Sequence, residues 1–201
     1  MKVLSEQGTF QYRCRLCGQC CSGTMEVFLG PGDLHALGTF LKRNHTDQLF
    51  REGLIRESPG QYRIPWPRLW FRGRPPRFCP FVENHWSESG GIKALCRLQD
   101  KAKPLICRLA PITRTADLET GTEIFTLTPP VQGCPGFESP EEQTLGDYLG
   151  PLRRELEWEG RFFRILKKAL DEGTSPEDLS RFFHFSLEQP WEKILREWEE
   201  R

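Results

Sequence analysis

Within eight residues the chain places Cys14, Cys17, Cys20 and Cys21, in the pattern C-x-x-C-x-x-C-C. A thiolate is a soft, anionic ligand, and a two-residue gap lets successive sulfurs turn onto one soft centre from a single loop. Residues 8–21 therefore read as a strand or loop (Thr9, Phe10, Tyr12) running into a cysteine knuckle. Gly18 supplies the backbone freedom that aims amides at sulfur. Four more cysteines follow as singletons: Cys79, Cys96, Cys107 and Cys134. The gaps before them are 57, 16, 10 and 26 residues, so they return to the knuckle only through tertiary folding. That requirement constrains the fold more than any periodicity in the chain.

Two uses of eight cysteines compete. An even count suits four disulfides in an exported protein. Against that, eight in 201 residues is sparse for a disulfide scaffold, and the adjacent Cys20 and Cys21 make pairing awkward. Residues 1–20 also lack an apolar signal core, being interrupted by Glu6, Gln7, Arg13 and Arg15. No stretch is long or apolar enough to span a bilayer. The expected compartment is the cytoplasm, where thiols stay reduced, and the preferred use is ligation.

Among metals, a C-x-x-C-x-x-C run suits three corners of a [4Fe–4S] cube, with a distant cysteine at the fourth. Structural zinc more often takes paired knuckles from two places, and here the four distal cysteines stand alone. An iron–sulfur cluster, [4Fe–4S], is the expected cofactor, with Zn as the alternative. Eight thiols suffice for two four-thiolate centres, or for one cluster and one zinc. Neighbouring Cys20 and Cys21 then serve different centres, or one of them is not a ligand. Arg13, Arg15, Arg97 and Arg108 flank cysteines and would offset the charge of about −2 on such a centre, unless they are merely solvated. His85, six residues after Cys79, is a candidate nitrogen ligand, although a lone histidine is more often surface or core.

Net charge is zero but unevenly spread. Arg56–Arg114 carries twelve Lys/Arg against four Asp/Glu, and Pro135–Arg201 carries ten against sixteen. This split suggests two structural portions. Leu34, Leu37 and Leu41 follow the Gly30-Pro31-Gly32-Asp33 turn at helical spacing, and a short helix near Thr46 presents Leu49, Phe50, Leu54 and Ile55 until Ser58-Pro59-Gly60. Residues 61–80 read as irregular extended chain. Ile112–Thr115 and Glu123–Leu127 flank a turn containing Asp117 and Gly121, a β-hairpin pattern. Ser139-Pro140-Glu141-Glu142 and Ser175-Pro176-Glu177-Asp178 read as helix starts. Between them Leu152, Leu156, Phe163, Leu166 and Leu170 form a stripe, closed by Gly173 as a C-terminal cap. Trp191, Ile194, Leu195 and Trp198 mark a last helix.

Residues 10–21, Phe-Gln-Tyr-Arg-Cys-Arg-Leu-Cys-Gly-Gln-Cys-Cys, resemble the signature of the YkgJ-like cysteine-cluster family, described as a zinc- or iron-chelating domain. Leu29–Leu34, Cys79-Pro80-Phe81, Cys96, and the stretch from Lys103-Pro104 through Cys107-Arg108 to Ala110-Pro111 resemble that family's later blocks. The likeness covers about residues 10–136; it departs in Lys103, where arginine is usual, and in a longer Cys79–Cys96 segment. It implies metal or iron–sulfur binding by all eight cysteines. A related class, the flagellin lysine N-methylases, has a similar cluster, which makes a protein-modifying role conceivable.

The segment 66–78 interleaves Trp66, Trp70, Phe71 and Phe78 with Arg68, Arg72, Arg74 and Arg77. Stacking and phosphate contacts of that kind serve single-stranded nucleic acid, but a loop packing its aromatics over the metal core is the preferred reading. There is no P-loop, G-x-G-x-x-G or G-x-S-x-G. The Trp191/Trp198 helix reads as core, with partner docking as the lesser alternative.

The expected fold is α+β: an irregular cysteine-ligated metal core with short strands over residues 1–138, and a predominantly helical extension over 139–201. The expected function is thiolate-bound metal with a redox or protein-modifying role, or a zinc-stabilised interaction module without catalysis. Its partner is a redox or protein partner of unspecified identity.

Overall fold

A computed structural model describes residues 2–23, 25–60, 63–87, 90–117, 120 and 122–200. In chain order the elements are β1 (Lys2–Leu4), β2 (Thr9–Gln11), α1 (Pro31–Phe40), α2 (Asp47–Arg51), β3 (Ile55–Pro59) and β4 (Pro65–Leu69). There follow β5 (Val82–Trp86), β6 (Ile92–Cys96), α3 (Leu105–Leu109), β7 (Ile112–Ala116) and β8 (Glu123–Leu127). The chain closes with β9 (Glu142–Thr144), α4 (Leu145–Leu149), α5 (Arg153–Asp171) and α6 (Trp191–Glu199). The protein is thus mixed α+β, with short antiparallel strand pairs. It divides into two units, each discontinuous in sequence. Met1–Met25, Phe71–Gln99 and Ile106–Arg153 form one; Glu26–Trp70, Asp100–Leu105 and Arg154–Arg201 form the other. Residues 139–153 stay with the first unit.

The first unit is built on strand pairs. β7 and β8 make the expected hairpin, with Ile112 opposite Leu127 and Ala116 opposite Glu123. In its turn, Asp117 donates its amide to Thr122 at 2.9 Å, while Gly121 lies outside the described residues. β1 adds to the free edge of β8, giving the order β1-β8-β7. β2 pairs with β9, Phe10 opposite Gln143, and β5 pairs with β6, Val82 opposite Cys96. Leu4, Phe10, Tyr12, Phe71, Phe81, Leu98, Ile112, Leu145 and Leu149 are among its buried apolar residues.

The β2–β9 pair overturns the helix start expected at Ser139. Ser139 Oγ instead accepts the Glu141 amide in a local turn, and Glu142–Thr144 is strand. The helix begins one step later at α4. Thr144 accepts the Asp147 amide at 3.1 Å and donates its hydroxyl to the Asp147 carboxylate at 2.7 Å. This is the capping that Ser139 was expected to provide.

The second unit carries the long helices. Pro31 opens α1 and Asp33 accepts the Gly30 amide at 3.1 Å, as the turn pattern implies. Leu34 and Leu37 are buried beneath it. α2 is shorter than its apolar residues suggest, because Ile55 starts β3 rather than prolonging a helix. β3 pairs with β4, so 65–69 is strand and not irregular chain. Pro65 and Pro67 share parity with Leu69, whose amide bonds Val27 at 2.9 Å, away from β3. Their missing N–H groups therefore cost the β3 ladder nothing.

On α5 the buried face is Leu156, Phe162, Ile165, Leu166 and Ala169, one position off the stripe expected through Phe163 and Leu170. Gly173, at φ 84°, caps α5 as expected: its amide reaches Leu170 and that of Thr174 reaches Ala169, a Schellman motif. Ser175 accepts the Asp178 amide at 3.1 Å, but it opens a 3₁₀ turn over Asp178–Phe183 instead of an α-helix. On α6, Trp191, Ile194 and Leu195 are buried, and Trp198 packs edge-on to Trp191, Phe182 and Phe185 at 5.2–5.5 Å, so this helix is core.

Candidate metal centre

β2 delivers the chain to the knuckle, and the knuckle is not helix or strand. Leu16 (φ 55°) and Gly18 (φ 76°), both left-handed, flank Cys17. A single 3₁₀ turn, Gln19–Cys21, follows, with the Cys21 amide bonded to Gly18 at 2.9 Å. Left-handed residues alternating with ordinary ones curl backbone N–H groups into a concavity suited to an anion, the arrangement that surrounds many iron–sulfur and phosphate groups. Leucine adopts this conformation only at a cost of about 1 kcal/mol or more. Gly18 is required twice over, since a Cβ there would also lie 2.6 Å from the Cβ of Ala94. The Ala94 amide bonds the Leu16 carbonyl at 2.7 Å, so the knuckle rests on β6.

All eight cysteines fall in the first unit, although they are scattered from position 14 to 134. None of them is in a disulfide; Cys14 and Cys17 are exposed and the other six half-buried. Cys134 opens the turn Pro135–Glu138, whose Gly136 carbonyl accepts the Arg13 amide at 2.9 Å. A Cβ on Gly136 would lie 2.5 Å from the Tyr12 ring and 2.9 Å from the Arg13 carbonyl, so this turn is pressed against the entrance of the knuckle. The Cys79 amide donates to the Cys21 carbonyl at 2.8 Å, and Val82 donates to Cys79 at 3.2 Å while facing Cys96 across the β5–β6 pair. Cys107 lies on α3.

The thiols feel one another. Burial pushes the Cys79 thiol up to about 11, with Cys96 and Cys20 adding to the rise and a backbone hydrogen bond at Phe81 opposing it. Burial also raises Cys134, helped by Cys17, Cys20 and Cys14 and opposed by a backbone hydrogen bond at Gly136. Tyr12, buried among Cys14, Cys134 and Cys20, is driven far above its ordinary value, first by burial and then by those neighbours. In such a setting thiolates accumulate only against a compensating cation. Even so, among the described residues no three His, Cys, Asp or Glu side chains stand close enough together to hold a metal ion. The backbone gathers the donors into neighbourhoods; the sulfurs do not close into a ligand shell.

The accessory candidates fare differently. His85 alternates along β5 with Val82 and Asn84, so it faces away from the side that carries Cys96. Its Nε2 lies 3.5 Å from Glu83, and it is no part of the cysteine neighbourhood. Arg97 bonds Glu83 at 3.2 Å and Arg13 bonds Glu141 at 2.5 Å, so both answer carboxylates. Sequence reasoning missed Tyr148. Its hydroxyl shares its proton between the Arg108 carbonyl, at 3.0 Å, and that of Ala110, just past the helix turn that carries Cys107. Its ring stands edge-on to Phe10 at 5.4 Å. A tyrosine one turn into a short helix gives no sequence signal of that task.

The aromatic-arginine segment is largely spent on packing. Trp66 stands 5.0 Å edge-on to Phe183, and Arg56 caps the Trp70 ring at 3.8 Å, both within the second unit. Neither tryptophan is an open stacking platform. Phe78 remains exposed beside Cys79.

No family model matches the chain, and no curated protein or solved structure matches it either. Among the described residues no helix is long and apolar enough to cross a membrane. The donors are of the kind a thiophilic metal takes, eight thiols in one unit and four of them on a loop with left-handed residues, but no three of them stand together.

Proposed function

We propose that this is a cysteine-ligated metal-binding protein holding an iron–sulfur cluster, of [4Fe–4S] type, at the Cys14–Cys21 knuckle. The observation that carries this reading is the gathering of eight cysteines, none of them in a disulfide, from five separated places in the chain into one of two units. The amide concavity around Cys17 favours a cluster over a bare ion, because the bridging sulfides of a cluster accept hydrogen bonds of their own. Such a cluster supplies one-electron redox chemistry. The chain's residues would hold it through Cys14, Cys17 and Cys20 with distal thiols, shield its inner side with Tyr12, and leave its outer side at the exposed Cys14 and Cys17. Exposure on that side suits electron exchange with a protein partner in the reducing cytoplasm. The resemblance to the YkgJ-like family agrees with this reading, and the lysine N-methylase-like role rests on that resemblance alone.

Anaerobic purification followed by visible absorption and iron, sulfide and zinc analysis tests the reading. A brown protein with matched iron and sulfide is expected. A colourless protein with stoichiometric zinc and no sulfide instead makes this a zinc-stabilised interaction module. Cys17→Ser is expected to lower bound metal; unchanged metal in that variant sinks the assignment of the knuckle.

A further inference from the structure

β5 and β6 form a two-stranded sheet of their own, and its two edges differ. The hydrogen bonds Arg97–Phe81 and Ser87–Gly91, each of 2.9 Å, bracket the ladder in its own register. Main-chain groups alternate in direction along an antiparallel pair. Glu83 and His85 therefore spend theirs on β6, while those of Val82, Asn84 and Trp86 point outward. On β6 the outward edge is covered, since the Ala94 amide reaches Leu16 at 2.7 Å. On β5 the Val82 amide turns back to Cys79 at 3.2 Å, but the amides of Asn84 and Trp86 have no partner among the described residues. Apolar surface lies beside this open edge: Trp86 is 80% exposed, and Ile92, opposite it, 60%. An unpaired edge next to exposed apolar side chains is a template for another strand.

We propose that this other strand is β5 of a second copy of the chain, paired antiparallel about a two-fold axis at Asn84. Asn84 faces outward, so it bonds its counterpart in both directions. Each Trp86 amide meets the Val82 carbonyl of the other copy. The side chains agree with this register. Val82 stands opposite Trp86 of the other copy, and Glu83 opposite His85, a carboxylate facing an imidazole that donates to it. Sliding the strands by two residues instead sets Glu83 against Glu83 or His85 against His85. Charges on an edge strand ordinarily discourage pairing; here they select one register of self-pairing. A two-fold contact of this kind uses a single patch twice and closes on itself. It draws on no cysteine and stands apart from the metal-binding reading.

The test is sedimentation equilibrium of the anaerobically purified protein under reducing conditions, which exclude interchain disulfides. For so short an interface a monomer at about 1 μM and a dimer at about 500 μM are expected. A monomer at both concentrations overturns the proposal. Asn84→Pro removes an edge N–H that nothing in the monomer uses, and is expected to weaken the dimer about ten-fold or more. Trp86→Ala is expected to do the same. A dimer indifferent to both variants is made elsewhere and overturns the pairing. His85→Glu sets carboxylate against carboxylate and should weaken the dimer, whereas His85→Lys should keep it; equal behaviour of the two overturns the register and the proposal with it. Should Asn84→Pro fail to fold, amide exchange in the wild type decides. The Asn84 and Trp86 amides are expected to be protected at the higher concentration and to exchange freely on dilution, and rapid exchange at both overturns the pairing.

Discussion

At Gly18 one missing methyl group decides where three cysteines go. Its φ of 76° disfavours any side chain, and the Ala94 Cβ would stand 2.6 Å from a new one. Gly18→Ala is expected to cost about 1–3 kcal/mol by the sum of backbone strain and overpacking, and to weaken metal retention with it. Adding Ala94→Gly removes the contact but not the strain, so the double variant should recover part of the loss in a urea titration. Full recovery would mean that the left-handed backbone is not needed, and no recovery that the contact with β6 is irrelevant. Tyr148 offers a second test. Tyr148→Phe keeps the Phe10 contact and leaves the Arg108 and Ala110 carbonyls without their hydroxyl, a loss of about 1 kcal/mol. The same variant with unchanged stability would show that water serves those carbonyls equally well.

Elements whose signals are local were legible in the sequence, and those decided by a distant partner were not. Gly173, Pro31 with Asp33, and the β7–β8 hairpin each rest on residues a few positions apart, and each stands where expected. Ser139 carries the same local signal as a real cap. It loses to Thr9–Gln11, more than a hundred residues away, whose pairing with β9 no local rule reports. Pro65 and Pro67 hide β4 in the same way, since only the register with β3 shows their nitrogens facing outward. The cysteine knuckle was legible as a cluster of thiols on one loop. Its support by β6 and by the Gly136 turn was not, because Ala94 and Gly136 have no chemistry to announce. α5 and α6 show another pairing that sequence does not give. Arg154 meets Glu192, and seven residues on Arg161 meets Glu199, each at 2.5 Å, so the two helices run parallel. The hydrogen bond from Arg161 holds the Glu199 carboxyl below its ordinary value. A depressed carboxylate adds stability above its unfolded value and loses it as pH falls through the folded one. Glu199 is one-third exposed, so the pair is worth about 0.5 kcal/mol. Glu199→Gln should cost that much in urea titrations at pH 7 and close to nothing at pH 3. An equal cost at both would show that packing, not charge, is lost.

Over the whole molecule the charge split of the sequence disappears. The cysteine-bearing unit holds eleven Lys/Arg against ten Asp/Glu, and the other holds seventeen against eighteen, because the basic middle is divided between them. What separates the units is the kind of core. One depends on short strand pairs around half-buried thiols; the other packs Trp66, Phe162, Phe183, Trp191 and Trp198 with long helices. Five of the six tryptophans, all but Trp86, belong to the second unit, and Trp86 is 80% exposed at the end of β5. Tryptophan emission therefore reports on the helical unit, while amide exchange in β1-β8-β7 and β2–β9 reports on the cysteine unit. A metal bound only by the folded state adds about 2.7 kcal/mol when its free concentration is a hundred times its dissociation constant. For a unit of roughly 100 residues that raises the unfolding midpoint by about 10 °C. Stripping the proposed metal with a chelator under reducing conditions should lower protection in those strands and shift their midpoint by that amount, with the tryptophan transition left in place. A tryptophan transition that moves with it would mean that the thiolates stabilise both units as one cooperative body. Strand protection indifferent to the chelator would mean that the first unit stands on its strand pairs alone.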